Sequence, residues 1–263
     1  MDSPIEIDKN KVRKSFSNAS QTYDQAALLQ QLIGKQLLKT VKGKTGHVLD
    51  LGCGTGFFTQ LLIASLNPES IIAMDIAEKM VQASVVKLSY CPSFKVICAD
   101  IEHLPFADHC FDIVCSNLAL QWVIYLERTF SDIKRVLKPG SQLVFSTFGP
   151  KTLNELKTAW AKVDHYSHVN EFYNQDQIKQ YLQDSGFKQI EINSLTYSLE
   201  YLSVLDLMQK LKLIGAHNVT SKRNKNFTTA KQIQAMMMAY EQANMQDGHV
   251  LATYEIYMVS AIA

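Results

Sequence analysis

Three glycines at alternate positions, behind an apolar run and an acid, constrain this chain more than any other feature: Val48-Leu49-Asp50-Leu51-Gly52-Cys53-Gly54-Thr55-Gly56. The apolar run reads as a strand, and the amphipathic segment Phe57 to Leu66 that follows at once reads as a helix. Glycines between the two let the backbone turn sharply and approach a ligand closely. The start of the helix offers unpaired N–H groups and the positive end of its dipole.

The spacing separates two classes of ligand. A dinucleotide turn needs G-x-G-x-x-G, which would put its third glycine where this chain has Phe57. Asp50, at the tip of the first strand, would repel a pyrophosphate and suits a ligand with a cationic amino acid portion. S-adenosylmethionine has an ammonium, a sulfonium and a ribose diol. On these residues the chain resembles the class I S-adenosylmethionine-dependent methyltransferases. The alternative is a chance glycine turn in some other parallel α/β protein.

Apolar residues at helical spacing over residues 8 to 19 (Val12, Phe16) and 21 to 40 (Ala27, Leu28, Leu32, Leu37, Leu38) predict two helices before the first strand. They make an N-terminal flap over residues 1–45. Tyr23 and Gln30 would share one face of its second helix, either as site residues or as ordinary interfacial packing.

Residues 46–147 alternate strand and helix, with strands at His47–Leu51, Ser70–Asp75, Phe94–Ala99, Phe111–Ser116 and Gln142–Thr147. That pattern predicts a Rossmann-like, mostly parallel sheet, seven-stranded once the last two strands are added, with helices on both faces. Those last strands fall in 186–202 and 247–263. Residues 148–185 and 203–246 are helical lid insertions, one of them placing Leu205, Met208, Leu211 and Ile214 on a single helix. The whole, 1–263, reads as one α/β domain with a cap.

Ligands in such sheets sit at the carboxyl ends of the strands, so the residues there are the candidates for holding a cofactor. Asp75 can accept two hydrogen bonds from a ribose diol or cap the next helix, with Ile76 beside it. Met80, one turn on, lies either against an adenine face or in the core. Asp100 can accept from an exocyclic amine, with the neighbouring backbone at Ile101 facing the ring, or it is a turn or cap residue. Asn117 opens the segment Asn117-Leu118-Ala119-Leu120-Gln121-Trp122 after the fourth strand. The set of cofactor candidates is Gln30, Asp50, Gly52, Cys53, Gly54, Gly56, Asp75, Ile76, Met80, Asp100, Ile101 and Asn117.

Composition narrows the classes further. With 263 residues, 47% of them hydrophobic, and a net charge of +1, the chain can build a sizeable core and lacks the bulk charge of a nucleic-acid binder. It has no uninterrupted membrane-length apolar run, and Met1-Asp2-Ser3-Pro4-Ile5-Glu6 has no signal-peptide pattern, so a cytoplasmic protein is expected. Five cysteines without a C-x-x-C pair read as small buried hydrophobes, with no metal site implied.

A more specific likeness then emerges. Lys11-Val12, Phe16, Ala19, Tyr23-Asp24 and Leu29-Gln30, together with the Asn117 to Trp122 segment, resemble the malonyl-acyl-carrier-protein O-methyltransferases of biotin synthesis. Phe145-Ser146-Thr147-Phe148, His168-Val169-Asn170 and Ile214-Gly215-Ala216 extend the resemblance over nearly the whole chain. It implies methyl transfer from S-adenosylmethionine, giving S-adenosylhomocysteine, to the free carboxylate of a malonyl thioester. The carrier would be an acyl carrier protein, with malonyl-CoA as the other form.

A carboxylate is ionised at neutral pH, so this chemistry needs alignment and no general base, and the sequence has no Ser/His/Asp order. Tyr23 is the first candidate at the reacting centre. His168, Asn170, Lys212, His217 and Arg223 are candidates for holding the substrate anion. The cluster Lys222-Arg223-Asn224-Lys225 suits either docking of an acidic carrier protein or a solvated loop. Two other functions share these features: a C-methyltransferase acting on a quinone or other small molecule, which would need a base, and an S-adenosylmethionine-binding scaffold or sensor without turnover.

Overall fold

A computed structural model describes residues 7–43, 46–216, 218 and 228–263. The helices α1 (Lys9–Ala19), α2 (Tyr23–Ala26) and α3 (Leu28–Leu38) lead into β1 (His47–Leu51). Alternation follows: α4 (Phe57–Leu66), β2 (Ser70–Asp75), α5 (Glu78–Leu88), β3 (Phe94–Cys98), β4 (Phe111–Asn117), α6 (Leu126–Val136) and β5 (Leu137–Phe148). The C-terminal part is α7 (Asn154–Ala161), α8 (Gln175–Asp184), β6 (Lys188–Tyr201), α9 (Val204–Leu213), α10 (Ala230–Asn244), the two-residue β7 (Met245–Gln246) and β8 (His249–Ile262).

The strands form one sheet in the order β3-β2-β1-β4-β5-β8-β6, with β7 paired to β8 as a short hairpin outside that path. The first five are parallel, and β8 enters antiparallel between β5 and β6. The Rossmann-like expectation therefore holds, with the small β7 as an eighth strand. Chain order reverses between β1 and β4, and the glycine turn leaves β1 at that reversal.

Alternation along β1 explains why both faces of the sheet are covered. Val48 points to one side with Ile71, Ile113 and Val144, where Ile33, Leu37, Phe58 and Leu62 of α3 and α4 pack. Leu49 and Leu51 point to the other, with Met74, Val114 and Phe145 against Phe130 and Ile133 of α6 and Ile178 and Leu182 of α8. The lid helices stack on the first side: α10 packs on α7 and α9, and α9 reaches α2 of the flap. Among the described residues no helix is long and apolar enough to cross a membrane.

Two local expectations need correction. The single helix predicted over residues 21 to 40 is broken at Ala27, whose ψ of 35° leaves the helical range, so Tyr23 and Gln30 lie on separate helices. No proline or glycine marks the break; the turn comes where α2 bends over the glycine loop. In α9 the buried positions are Val204 and Leu207, with Met208 and Leu211 partly packed, while Leu205 stands exposed.

Phe145 is fully buried on β5 with its ring 5.5 Å from that of Phe130. Phe145→Ala removes an aromatic ring from a packed layer, and urea denaturation is expected to show a loss of about 3–5 kcal/mol.

Candidate active site

The turn after β1 is built from backbone. The N–H groups of Gly52 and Cys53 donate to the Met74 carbonyl at 2.7 and 2.9 Å, which ties the turn to β2. Gly52 has φ +74°, and a Cβ there would sit 2.2 Å from that of Ala119. Gly54 (φ +54°) instead faces open space, with the Tyr23 ring its nearest neighbour at 4.0 Å. Gly56 packs against Ser84 and Leu88 of α5, so its role is in helix packing and it lies away from the cleft.

Asp50 is almost completely buried at the end of β1. Its Oδ2 accepts from the Thr59 hydroxyl at 2.6 Å, while Oδ1 is buried with no partner. Burial pushes this carboxyl up to about 7, against the downward pull of the Thr59 bond, and the neighbouring Asp75 charge adds to the rise. Asp75 accepts from Gly54 N–H at 2.9 Å and from Ala77 N–H at 2.8 Å. Burial raises it to about 6 despite the backbone bonds. Two buried acids with unfilled acceptor capacity suit a cationic, hydroxyl-bearing ligand.

Asp75, Ile76, Asp100 and Ile101 line one cavity of about 60 Å³, which reaches Tyr23 and Asn117. Gln30 and Cys53 line a second, of about 30 Å³, on the other side of Tyr23. The Gln30 side-chain oxygen is buried without a partner, and its carbonyl accepts from Asn117 Nδ2 at 2.9 Å. Both cavities are smaller than the roughly 300 Å³ of an ordinary ligand pocket, and the Tyr23 ring lies against each. Burial, with the charges of Asp75 and Asp24, holds the Tyr23 phenol far above its ordinary pKa, so it is a neutral hydrogen-bond donor.

Ion pairs fasten the flap, and sequence reasoning passed over them. Lys9 of α1 bridges Asp100 at 2.8 Å and Glu102 at 2.6 Å, and Lys87 of α5 holds Asp24 of α2 at 2.6 Å. Asp24 also accepts from the Thr55 hydroxyl within the glycine turn. Asp24 was visible as part of the N-terminal signature; Lys9 carried no signal, because its partners lie far along the chain.

Beyond Tyr23 a larger cavity of about 320 Å³ opens between the flap and the lid, and Gln30 and Trp122 connect it to the smaller ones. Phe148, Phe172 and Tyr254 give it apolar walls, and His168 and Asn170 line it as polar groups. Lys212 does not line it: the helical phase of α9 turns Lys212 to solvent and brings Lys210 to the wall. Met80 is likewise corrected. It is fully buried with Ala19 and Ala77 beneath Phe16 and Tyr23, because α1 covers it, and it reaches none of these cavities. His217 and Arg223 lie outside the described residues. Among the described residues no group of three or more His, Cys, Asp and Glu side chains could hold a metal ion.

Residues 49–145 match the model of the methyltransferase domain family. Solved structures with the same fold include the YcgJ protein of Bacillus subtilis (TM-score 0.62, 16% identity, 88% of this chain and 97% of that one). Another is the phosphoethanolamine N-methyltransferase 2 of Haemonchus contortus in complex with S-adenosyl-L-methionine (TM-score 0.57, 15% identity, 94% of this chain and 57% of that one). Fold and strand-end cleft together define a class I methyltransferase domain.

Closer in sequence is the malonyl-[acyl-carrier protein] O-methyltransferase of Methylococcus capsulatus, 37% identical over 95% of this chain and 92% of that protein. The biotin biosynthesis bifunctional protein BioHC of Cellvibrio japonicus is 36% identical over 95% of this chain. This chain spans about half the length of such bifunctional relatives. It belongs to the malonyl-[acyl-carrier protein] O-methyltransferase family.

Two measurements probe the cleft. In unfolded chains a carboxylate titrates near ~4; because Asp50 and Asp75 are raised when folded, the native state holds protons that the unfolded state has released between about pH 4 and pH 7. These groups therefore lower stability as pH rises through that window, and a cationic ligand offsets the cost above it. The rise in melting temperature on adding S-adenosylmethionine is expected to be larger at pH 8 than at pH 5.5; equal shifts would contradict the assignment. Lys87→Met frees Asp24 at a cost below about 1 kcal/mol in stability, and stopped-flow fluorescence should show faster exchange of the bound ligand.

Proposed function

We propose that this protein transfers a methyl group from S-adenosylmethionine to the free carboxylate of a malonyl thioester carried on acyl carrier protein, forming the methyl ester used in biotin synthesis. Its compartment would be the cytoplasm. The observation that carries the reading is the pairing of buried acids and unpartnered oxygens beside the glycine turn with a separate, largely apolar cavity that meets the small ones at Gln30 and Trp122. The first suits a cationic donor, and the second suits an acyl thioester brought in from the lid side.

When bound, S-adenosylmethionine supplies an electrophilic methyl group. The unpartnered oxygens of Asp50 and Gln30 are acceptors suited to its ammonium, Asp75 to its ribose hydroxyls, and Asp100, held by Lys9, to the amine of its adenine. Ile76 and Ile101 give apolar walls to the same space. Asn117 braces this region through Gln30 and through Ser146, whose hydroxyl donates to Asn117 Oδ1 at 2.9 Å.

The substrate carboxylate arrives ionised, so the protein has only to orient it and exclude water. Alignment of this kind contributes roughly 7–11 kcal/mol. Tyr23, a neutral phenol lining both small cavities, can donate one hydrogen bond to the carboxylate without taking its charge. The basic stretch around Arg223 is the proposed contact for an acidic carrier protein.

A second reading, C-methylation of a small ring compound, draws support from the aromatic walls of the large cavity and from a His–Asp pair on its side, which would be its base. Mass spectrometry separates the two. Malonyl-acyl carrier protein incubated with the protein and S-adenosylmethionine is expected to gain one methyl, removable by an esterase. An unchanged malonyl thioester alongside a methylated quinone precursor would favour the second reading. Tyr23→Phe is expected to lower turnover at least about tenfold while cofactor affinity stays near wild type.

A further inference from the structure

We infer that His168 binds the free carboxylate of the substrate and that Asp164 and Trp160 are positioning residues that fix its ring for the contact. The inference rests on the malonyl thioester reading above and names the residue that selects for the anion.

His168 lies in the segment between α7 and α8, on the wall of the large cavity. Its ring lies flat on the indole of Trp160, with centroids 3.7 Å apart and planes within 4°. Its Nε2 is 2.9 Å from Asp164 Oδ1, which also accepts from the Tyr166 N–H at 3.0 Å. Both side chains are nearly buried, His168 at 13% and Asp164 at 10% exposure. The stack fixes the plane of the ring and the Asp164 bond fixes its rotation within that plane. Nδ1 has no partner among the described residues.

The chemistry follows from what Asp164 lacks. Its Oδ2 is buried and unpartnered, and a buried carboxylate so poorly satisfied favours a charged partner at its other oxygen. An indole face also favours a cation stacked on it. With Nε2–H given to Asp164, a doubly protonated ring would offer Nδ1–H as the donor to a substrate carboxylate. Asp164 and the charged ring carry no net charge together, so the substrate is held by one oriented bond and its second oxygen remains nucleophilic.

The other titratable groups on this wall are Glu200, Lys210, Tyr201 and Tyr254. Lys210 is drawn to Asp206 at 3.0 Å and lies over the Tyr201 ring. The hydroxyls of Tyr201 and Tyr254 bond each other at 2.8 Å.

The test uses the full chain, malonyl-acyl carrier protein as acceptor and acetyl-acyl carrier protein as an uncharged competitor. His168→Gln is expected to raise KM for the malonyl thioester about tenfold or more, to leave kcat within about threefold and to abolish the preference for malonyl over acetyl thioester. Asp164→Asn should change KM and preference in the same direction by a smaller factor, and Asp164→Glu should restore part of the loss. Unchanged S-adenosylmethionine affinity reports an intact fold, and the near-isosteric Asp164→Asn carries the test if His168→Gln yields too little folded protein.

Wild-type KM and wild-type discrimination in His168→Gln would overturn the assignment. So would a collapse of kcat at constant KM, which marks a base. A wild-type protein inactive on the malonyl thioester would overturn the substrate reading and this assignment with it.

Discussion

A carboxylate with one oxygen bonded and the other bare, buried where the central strand ends, governs the rest of the site. Placing Asp50 there costs the fold stability, since the carboxyl is raised by burial and the Thr59 hydroxyl satisfies only one side of it. Such a group persists where a ligand completes it, and the only complement that offsets a buried anion fully is a cation. The reversal of strand order beside β1 is where ligands enter sheets of this kind, and Gly52 and Gly54 of the turn line the small cavities there.

From this constraint the other parts follow in sequence. Asp75 and Asp100 stand at the tips of the neighbouring strands because the register of β1, β2 and β3 brings their carboxyl ends level. The flap crosses over them, held by Lys9 and by the Lys87–Asp24 pair, and its Tyr23 ring lines both small cavities beside the glycine turn. The Lys9 pairs are half-buried, with Glu102 at 9% exposure, while the Lys87–Asp24 pair is the more exposed and so the weaker tie. The lid helices line the large cavity mainly with apolar residues, and His168 and Asn170 are polar groups on its wall.

The amino-acid sequence made the parallel sheet, the helical character of the flap and the acids at the strand ends readable, because hydrophobic periodicity and glycine spacing are local properties. What it hid was set by tertiary contact. Nothing in Tyr23 to Leu38 signals a break, yet Ala27 bends where the flap meets the glycine turn. Met80 has the right position in its helix for a ligand contact, but α1 packs over it and closes it off. Lys212 and Lys210 are indistinguishable by composition, and only the packed face of α9 decides which one reaches the cavity. Asp164 and Trp160 gave no sign by themselves, because their significance is the orientation that they impose on a third residue.

The account depends on a cationic ligand completing Asp50, and one paired measurement on Asp50→Asn tests that most directly: the S-adenosylmethionine dissociation constant and the melting temperature of the free protein. Removing the buried charge is expected to weaken binding about tenfold or more while the free protein melts at the same temperature or higher. Wild-type affinity in that variant, or a weakened affinity explained by a large drop in melting temperature, would contradict it.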